Sequence, residues 1–142
     1  MSVSAPKEVV SVDKIRVILA DDHQEVIAIV RRALGEEFDV VEAVENGSLA
    51  IRAVLELDPD IFVTDISMPI VDGLQAARRL QKANCRTKII FLTIHEDRDF
   101  LVAALSAGGS GYVIKPRLST DLVRAIHEAL KGNIFVSESM RI

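Results

Sequence analysis

The sequence predicts an α/β fold, a parallel sheet of five strands with helices on both faces, and two observations carry that prediction. Aliphatic runs of strand length recur five times, and between them apolar residues recur at helical spacing. Runs without polar alternation belong to strands buried on both faces, and parallel neighbours need crossover connections, which the intervening helices supply.

Each element can be justified in order. "IRVILA" (15–20) is the first strand, and Val26, Ile27, Val30 and Leu34 then share one helix face. "FDVVEAV" (38–44) is the second strand, followed by a stripe of Ala50, Ile51, Val54 and Leu55. "DIFVTD" (60–65) is the third, and Leu74, Ala77 and Leu80 repeat the helical pattern more weakly. "KIIFLT" (88–93) precedes a stripe of Phe100, Leu101, Ala104 and Leu105 that Gly108 ends. "GYVIK" (111–115) precedes Leu122, Val123, Ile126 and Leu130, which Gly132 ends. The expected domain is 14–132, between loosely held extensions at 1–13 and 133–142.

Composition narrows the function. A chain of 142 residues is long enough for one domain with its own core and too short for two. A net charge of −4 without a dense Lys/Arg cluster argues against direct contact with nucleic acid. The single Cys85 forms no internal disulfide and reads as a semi-buried thiol; no run has the length of a membrane span, and the N-terminal stretch lacks the apolar core of a signal peptide. A cytoplasmic protein without membrane contact is expected.

The chemistry gathers at one edge. Ligands of an open parallel sheet bind outside the carboxyl ends of the strands. Asp21 and Asp22 follow the first strand there, Asp65 ends the third, Thr93 the fourth and Lys115 the fifth. Three carboxylates so close repel one another unless a cation lies between them, and an all-oxygen set suits Mg²⁺ or Mn²⁺. A nucleophilic aspartate, a metal, a hydroxyl and an ammonium together match phosphoryl transfer to a carboxylate, which needs positioning and charge neutralisation above all.

With these residues in order the sequence resembles the receiver domain of bacterial two-component response regulators, from about Ile15 to Lys131. The resemblance rests on Asp21 and Asp22, Asp65, Thr93, Tyr112, and Lys115 with Pro116. It implies a doubly wound, flavodoxin-like sheet of order 2-1-3-4-5 with five helices. It also implies Asp65 as phospho-acceptor, with Thr93 and Lys115 assisting, and Mg²⁺ held by Asp22, Asp65 and the backbone carbonyl of Ser67, Asp21 acting through water. Thr93 and Tyr112 become the switch pair, and the Lys115–Pro116 peptide bond is expected to be cis. Ser67 and His95 stand where the family varies its dephosphorylation rate, and Ile94 is larger than the residue often found after the switch threonine. The phosphodonor is expected to be a sensor histidine kinase, and a phosphorylation-dependent homodimer is a further expectation.

The stretches "LTIHEDRDFLVAALSAGGSGYVIK" and "AIHEALKGNIFVSESM" resemble regulators of the NarL/LuxR group, whose receiver precedes a DNA-binding helix-turn-helix. Residues 133–142 then read as the start of a linker to such an effector domain, so DNA is reached only through that domain and the output is transcription control. A naturally single-domain receiver is the alternative.

Taken singly, these residues have ordinary readings. Asp21 and Asp22 would cap the first helix, Thr93 would be a strand residue, Tyr112 a core aromatic and Lys115 a solvated lysine. His23, His95 and His127 are too scattered in sequence for a metal site and read as solvated or secondary side chains. An aspartyl-phosphate phosphatase of similar fold is the competing function, but enzymes of the haloacid-dehalogenase type place D-x-D on the first strand, whereas here the candidate nucleophile is on the third and Ser67 stands where the acid would be. A nucleotide or flavin binder is disfavoured because no glycine-rich phosphate loop follows the first strand.

Overall fold

A computed structural model describes residues 14–141 of the chain, so the expectation for 1–13 lies outside the described residues. The strands are β1 (Ile15–Ala20), β2 (Phe38–Val44), β3 (Ile61–Thr64), β4 (Lys88–Thr93), β5 (Gly111–Ile114) and β6 (Phe135–Val136). The helices are α1 (Gln24–Leu34), α2 (Gly47–Leu57), α3 (Gly73–Lys82), α4 (Arg98–Ser106) and α5 (Leu118–Leu130). All neighbouring strands are parallel, in the order β2-β1-β3-β4-β5-β6.

The two faces of the sheet separate by the two-residue period of a strand. Ile18, Ala20, Phe62, Ile89, Phe91, Tyr112 and Ile114 face one way and pack with Ala50 and Val54 of α2, Ala76, Ala77 and Leu80 of α3, and Leu101 and Ala104 of α4. Val17, Leu19, Ile61, Val63, Ile90, Leu92 and Val113 face the other way, against Ile27 and Val30 of α1 and Leu122, Ala125 and Ile126 of α5. This is the doubly wound arrangement. Gly108 and Gly132 follow α4 and α5 with φ of +95° and +90°, the left-handed conformation in which a side chain would be strained.

One expectation is corrected. Residues 133–141 do not trail away: Phe135 and Val136 pair with Gly111 and Tyr112, and Phe135, Ser137 and Met140 are buried. The sheet therefore has six strands rather than five. A two-residue strand stands below the length at which periodicity is readable, and its burial depends on partners far away in sequence.

No helix among the described residues is long and apolar enough to cross a membrane.

Candidate functional site

The register of the sheet brings the expected residues together. Ala20 pairs with Thr64, so Asp21 and Asp65 leave the sheet side by side, and the Asp65 amide donates to the Ala20 carbonyl at 3.0 Å. Thr93 pairs with Ile114, which places Lys115 just beyond the same edge. Asp21 and Asp65 are buried, at 3% and 5% exposure, and Asp22 is more open.

Lys115 is the counter-charge. Its Nζ lies 3.0 Å from Asp21 Oδ2 and 3.0 Å from Asp65 Oδ2, bridging the two buried carboxylates. Burial pulls this ammonium toward its neutral form, but the hydrogen bonds to Asp21 and Asp65 and their negative charges outweigh it and hold its pKa above the ordinary lysine value. The other oxygen of Asp65, Oδ1, accepts the Ile66 amide at 2.7 Å, so both carboxylate oxygens are oriented.

Carboxylate oxygens of Asp21, Asp22 and Asp65 and a ring nitrogen of His23 lie within 4.8 Å of one another. Such an oxygen-rich, strongly anionic set on fixed strand ends fits a hard divalent cation. His23 was not recognised in the sequence as belonging here; only its adjacency to Asp22 could have signalled it. Its Nδ1 is 3.1 Å from Asp21 Oδ1 and 3.2 Å from Asp22 Oδ1, and the hydrogen bond to Asp21 followed by the charges of both aspartates raises its pKa. Nor do the aspartates cap α1: His23 is the N-cap residue, without a side-chain capping bond, and Asp21 Oδ1 instead accepts the His23 amide at 2.9 Å.

A second group centres on His95. Its amide donates to Thr93 Oγ1 at 3.2 Å, its carbonyl accepts the Tyr112 hydroxyl at 2.8 Å, and its Nε2 is 2.9 Å from Ser67 Oγ. The imidazole stacks on Phe100 with ring centroids 4.1 Å apart. Thr93 and Tyr112 are fully buried, so the aromatic expected to switch points inward. Burial and the charges of Asp97, Asp65 and Glu96 push the Tyr112 phenol up to about 12. Thr93 is bound to His95 rather than to Asp65, which leaves its own proton for another acceptor. Ile94 is 67% exposed, so no packing fixes it over Asp65.

The expected cis bond is absent. No peptide bond among the described residues is cis, so Lys115–Pro116 is trans, its ordinary lower-energy form. Pro116 sits in the first turn of a 3-10 helix, Lys115–Arg117, where its missing N–H leaves no bond unmade. The long lysine stem reaches both carboxylates from the trans backbone.

Gly73 is a structural requirement that the sequence reading missed. A Cβ there would stand 1.9 Å from the Asp65 carbonyl oxygen, and the Gly73 amide donates to Ile66 O at 2.8 Å. The start of α3, fixed by a capping box between Asp72 and Gln75, is thereby pressed against the backbone that carries Asp65.

An open cleft of about 540 Å³ beside these residues is lined by Asp22, Ile66, Ser67, Met68, Pro69 and Phe100, among others. Another, of about 550 Å³, lies along β2 and contains none of the expected site residues.

Comparison with known proteins agrees with this geometry. The family profile described as "Response regulator receiver domain" matches residues 17–127. The transcriptional regulatory protein DegU of Brevibacillus brevis is 34% identical over 131 residues, 91% of this chain and 56% of DegU. The chain thus spans a little over half of that relative's length. A crystal structure of a LuxR-family response regulator from Aurantimonas sp. SI85-9A1 superposes with a TM-score of 0.85 at 32% identity, covering 89% of this chain and 92% of that one. The signal receiver domain of the response regulator NarL from Mycobacterium tuberculosis gives a TM-score of 0.81 at 28% identity, covering 85% and 99%.

Proposed function

Because the chain belongs to the response regulator receiver domain family and is of the NarL/LuxR type, we propose that it is a phosphorylation-controlled switch whose acceptor is Asp65. The single observation that carries this reading is Lys115 bridging two buried carboxylates beside the open Asp22. The phosphodonor is a phosphohistidine of a sensor kinase. An Asp65 oxygen attacks phosphorus, the P–N bond breaks, and the imidazole nitrogen leaves with the bonding pair and takes up a proton. Mg²⁺ or Mn²⁺, held by Asp22, Asp65 and the Ser67 carbonyl with Asp21 acting through water, would neutralise charge on the phosphoryl oxygens. Lys115 stays cationic throughout, since its pKa is raised, and Thr93 donates its free proton to a phosphoryl oxygen. The cleft along Ser67 to Phe100 is the donor's approach.

The chain catalyses only its own phosphorylation and dephosphorylation, with Ser67, His95 and Ile94 setting the rate of the second. Phosphate on Asp65 draws Thr93 inward by a charge-assisted hydrogen bond and favours the inward Tyr112, which reshapes the face made by α4, β5 and α5. That face favours a homodimer, and the output is transcription control in the cytoplasm through a DNA-binding helix-turn-helix domain beyond residue 142. DegU, a longer transcriptional regulatory protein, supports the last step.

The test is phosphate release from a small phosphodonor such as acetyl phosphate with Mg²⁺. A switch labels itself stoichiometrically and releases phosphate slowly. Rapid release of many equivalents per chain would make the protein a phosphatase instead.

A further inference from the structure

The six-stranded sheet leaves the segment Asn133–Arg141 lying on the output face. The Phe135 amide donates to Ser110 O at 3.1 Å and the Ser137 amide to Tyr112 O at 2.9 Å, so the segment is bonded to the backbone of the switch aromatic itself and of the residue two before it. Ser137 is wholly buried. Its hydroxyl donates to Asp121 Oδ2 of α5 at 2.8 Å and accepts the Ile114 amide at 3.2 Å. Arg98, in the first turn of α4, reaches the Met140 carbonyl at 3.4 Å. The segment therefore ties α4, β5 and α5 together.

Its side chains straddle the sheet. Phe135 is buried with Val113, Leu118 and Leu122 on one face, while Met140, and Val136 at its edge, join the cluster of Tyr112, Ile114 and Leu101 on the other. Tyr112 and Val136 are register partners and share a face. The inward Tyr112 ring, Met140 and the adjoining Val136 thus belong to one packed cluster.

We propose that Asn133–Arg141 is a latch on the switch: its docking as β6 and the inward rotamer of Tyr112 are one coupled state, favoured when Asp65 carries a phosphoryl group. This deepens the switch reading and rests on it. Coupling is reciprocal, so a docked latch also strengthens binding of a phosphoryl group or its mimic at Asp65. The output domain proposed above would hang from this strand, and its freedom would follow the state of Tyr112.

The experiment uses the full chain with beryllofluoride and Mg²⁺. Binding is read from the fluorine NMR signal of the bound mimic, and latch docking from amide hydrogen exchange at Phe135 and Ser137. The mimic is expected to slow exchange at both amides at least about fivefold, the lower end of ordinary site-to-site coupling. Ser137→Ala, which removes the clasp to Asp121, is expected to weaken mimic binding to at least a similar degree. Tyr112→Phe, which removes the bond to His95, is expected to speed exchange at Ser137. Mimic binding with unchanged exchange at Phe135 and Ser137 in the parent overturns the latch and leaves the switch reading standing, even where a variant fails to fold. No bound mimic at all overturns the switch reading and the latch with it.

Discussion

Tyr112 shows how much one side chain here is asked to do. Its ring fills the core and its hydroxyl is committed to the His95 carbonyl, whose amide in turn holds Thr93. Ionising the phenol would break that bond and add a negative charge near those of Asp97, Asp65 and Glu96. With the folded pKa at about 12 and the unfolded value near 10, both states are protonated below about pH 10, and the stabilisation is fully present there. Above that pH the unfolded chain loses its proton first, so stability falls as pH rises toward about 12. Tyr112 is the sole tyrosine, with no tryptophan in the chain, so tyrosinate absorbance reports it alone. Absorbance is expected to rise only near pH 12 or with unfolding; a rise near pH 10 with native circular dichroism would contradict this placement.

At the scale of elements, the site depends on how tightly α3 is seated under β3. Its N-terminal turn has no room for a side chain at Gly73, because the obstacle is the Asp65 backbone rather than a flexible side chain. Gly73→Ala is expected to cost about 1–3 kcal/mol in urea unfolding, the usual range for overpacking. It is also expected to displace Asp65, slowing self-phosphorylation more than the stability loss alone would. A variant with unchanged midpoint and rate would show that the contact is soft. This constraint was not legible in the sequence, since "VDGLQ" shows a capping box and a glycine but not that the Asp65 carbonyl, eight residues back in the chain, lies against that glycine. The Thr93 and Lys115 strand ends were legible because each closes an aliphatic run at a length that reads as a strand. β6 was not, because "FV" is too short and its burial is conferred by Asp121, Tyr112 and Leu122. The cis bond was an expectation of resemblance alone, and the trans backbone delivers the same ammonium.

At the scale of the whole molecule, two features of the packing bear on the proposed switch. The sheet fixes four strand ends within reach of one another through register, and helices on both faces bury that sheet, so the acidic site stands on a packed scaffold. The α4, β5, α5 and β6 side is packed into both cores as well, and hydrogen bonds of Tyr112, Ser137 and the Met140 carbonyl join its elements. Shifting such a side from 1:99 to 99:1 would need about 5.5 kcal/mol of differential binding, more than one hydrogen bond and one lysine contact supply. A graded population shift on phosphorylation, rather than refolding of the domain, is the expected response.

All of this rests on Asp65 as the sole acceptor, and intact mass after incubation with phosphoramidate and Mg²⁺ tests that most directly. The parent is expected to gain one phosphoryl group, and Asp65→Asn, or the parent in EDTA, to gain none. Labelling that survives Asp65→Asn, or that proceeds fully in EDTA, would contradict the account.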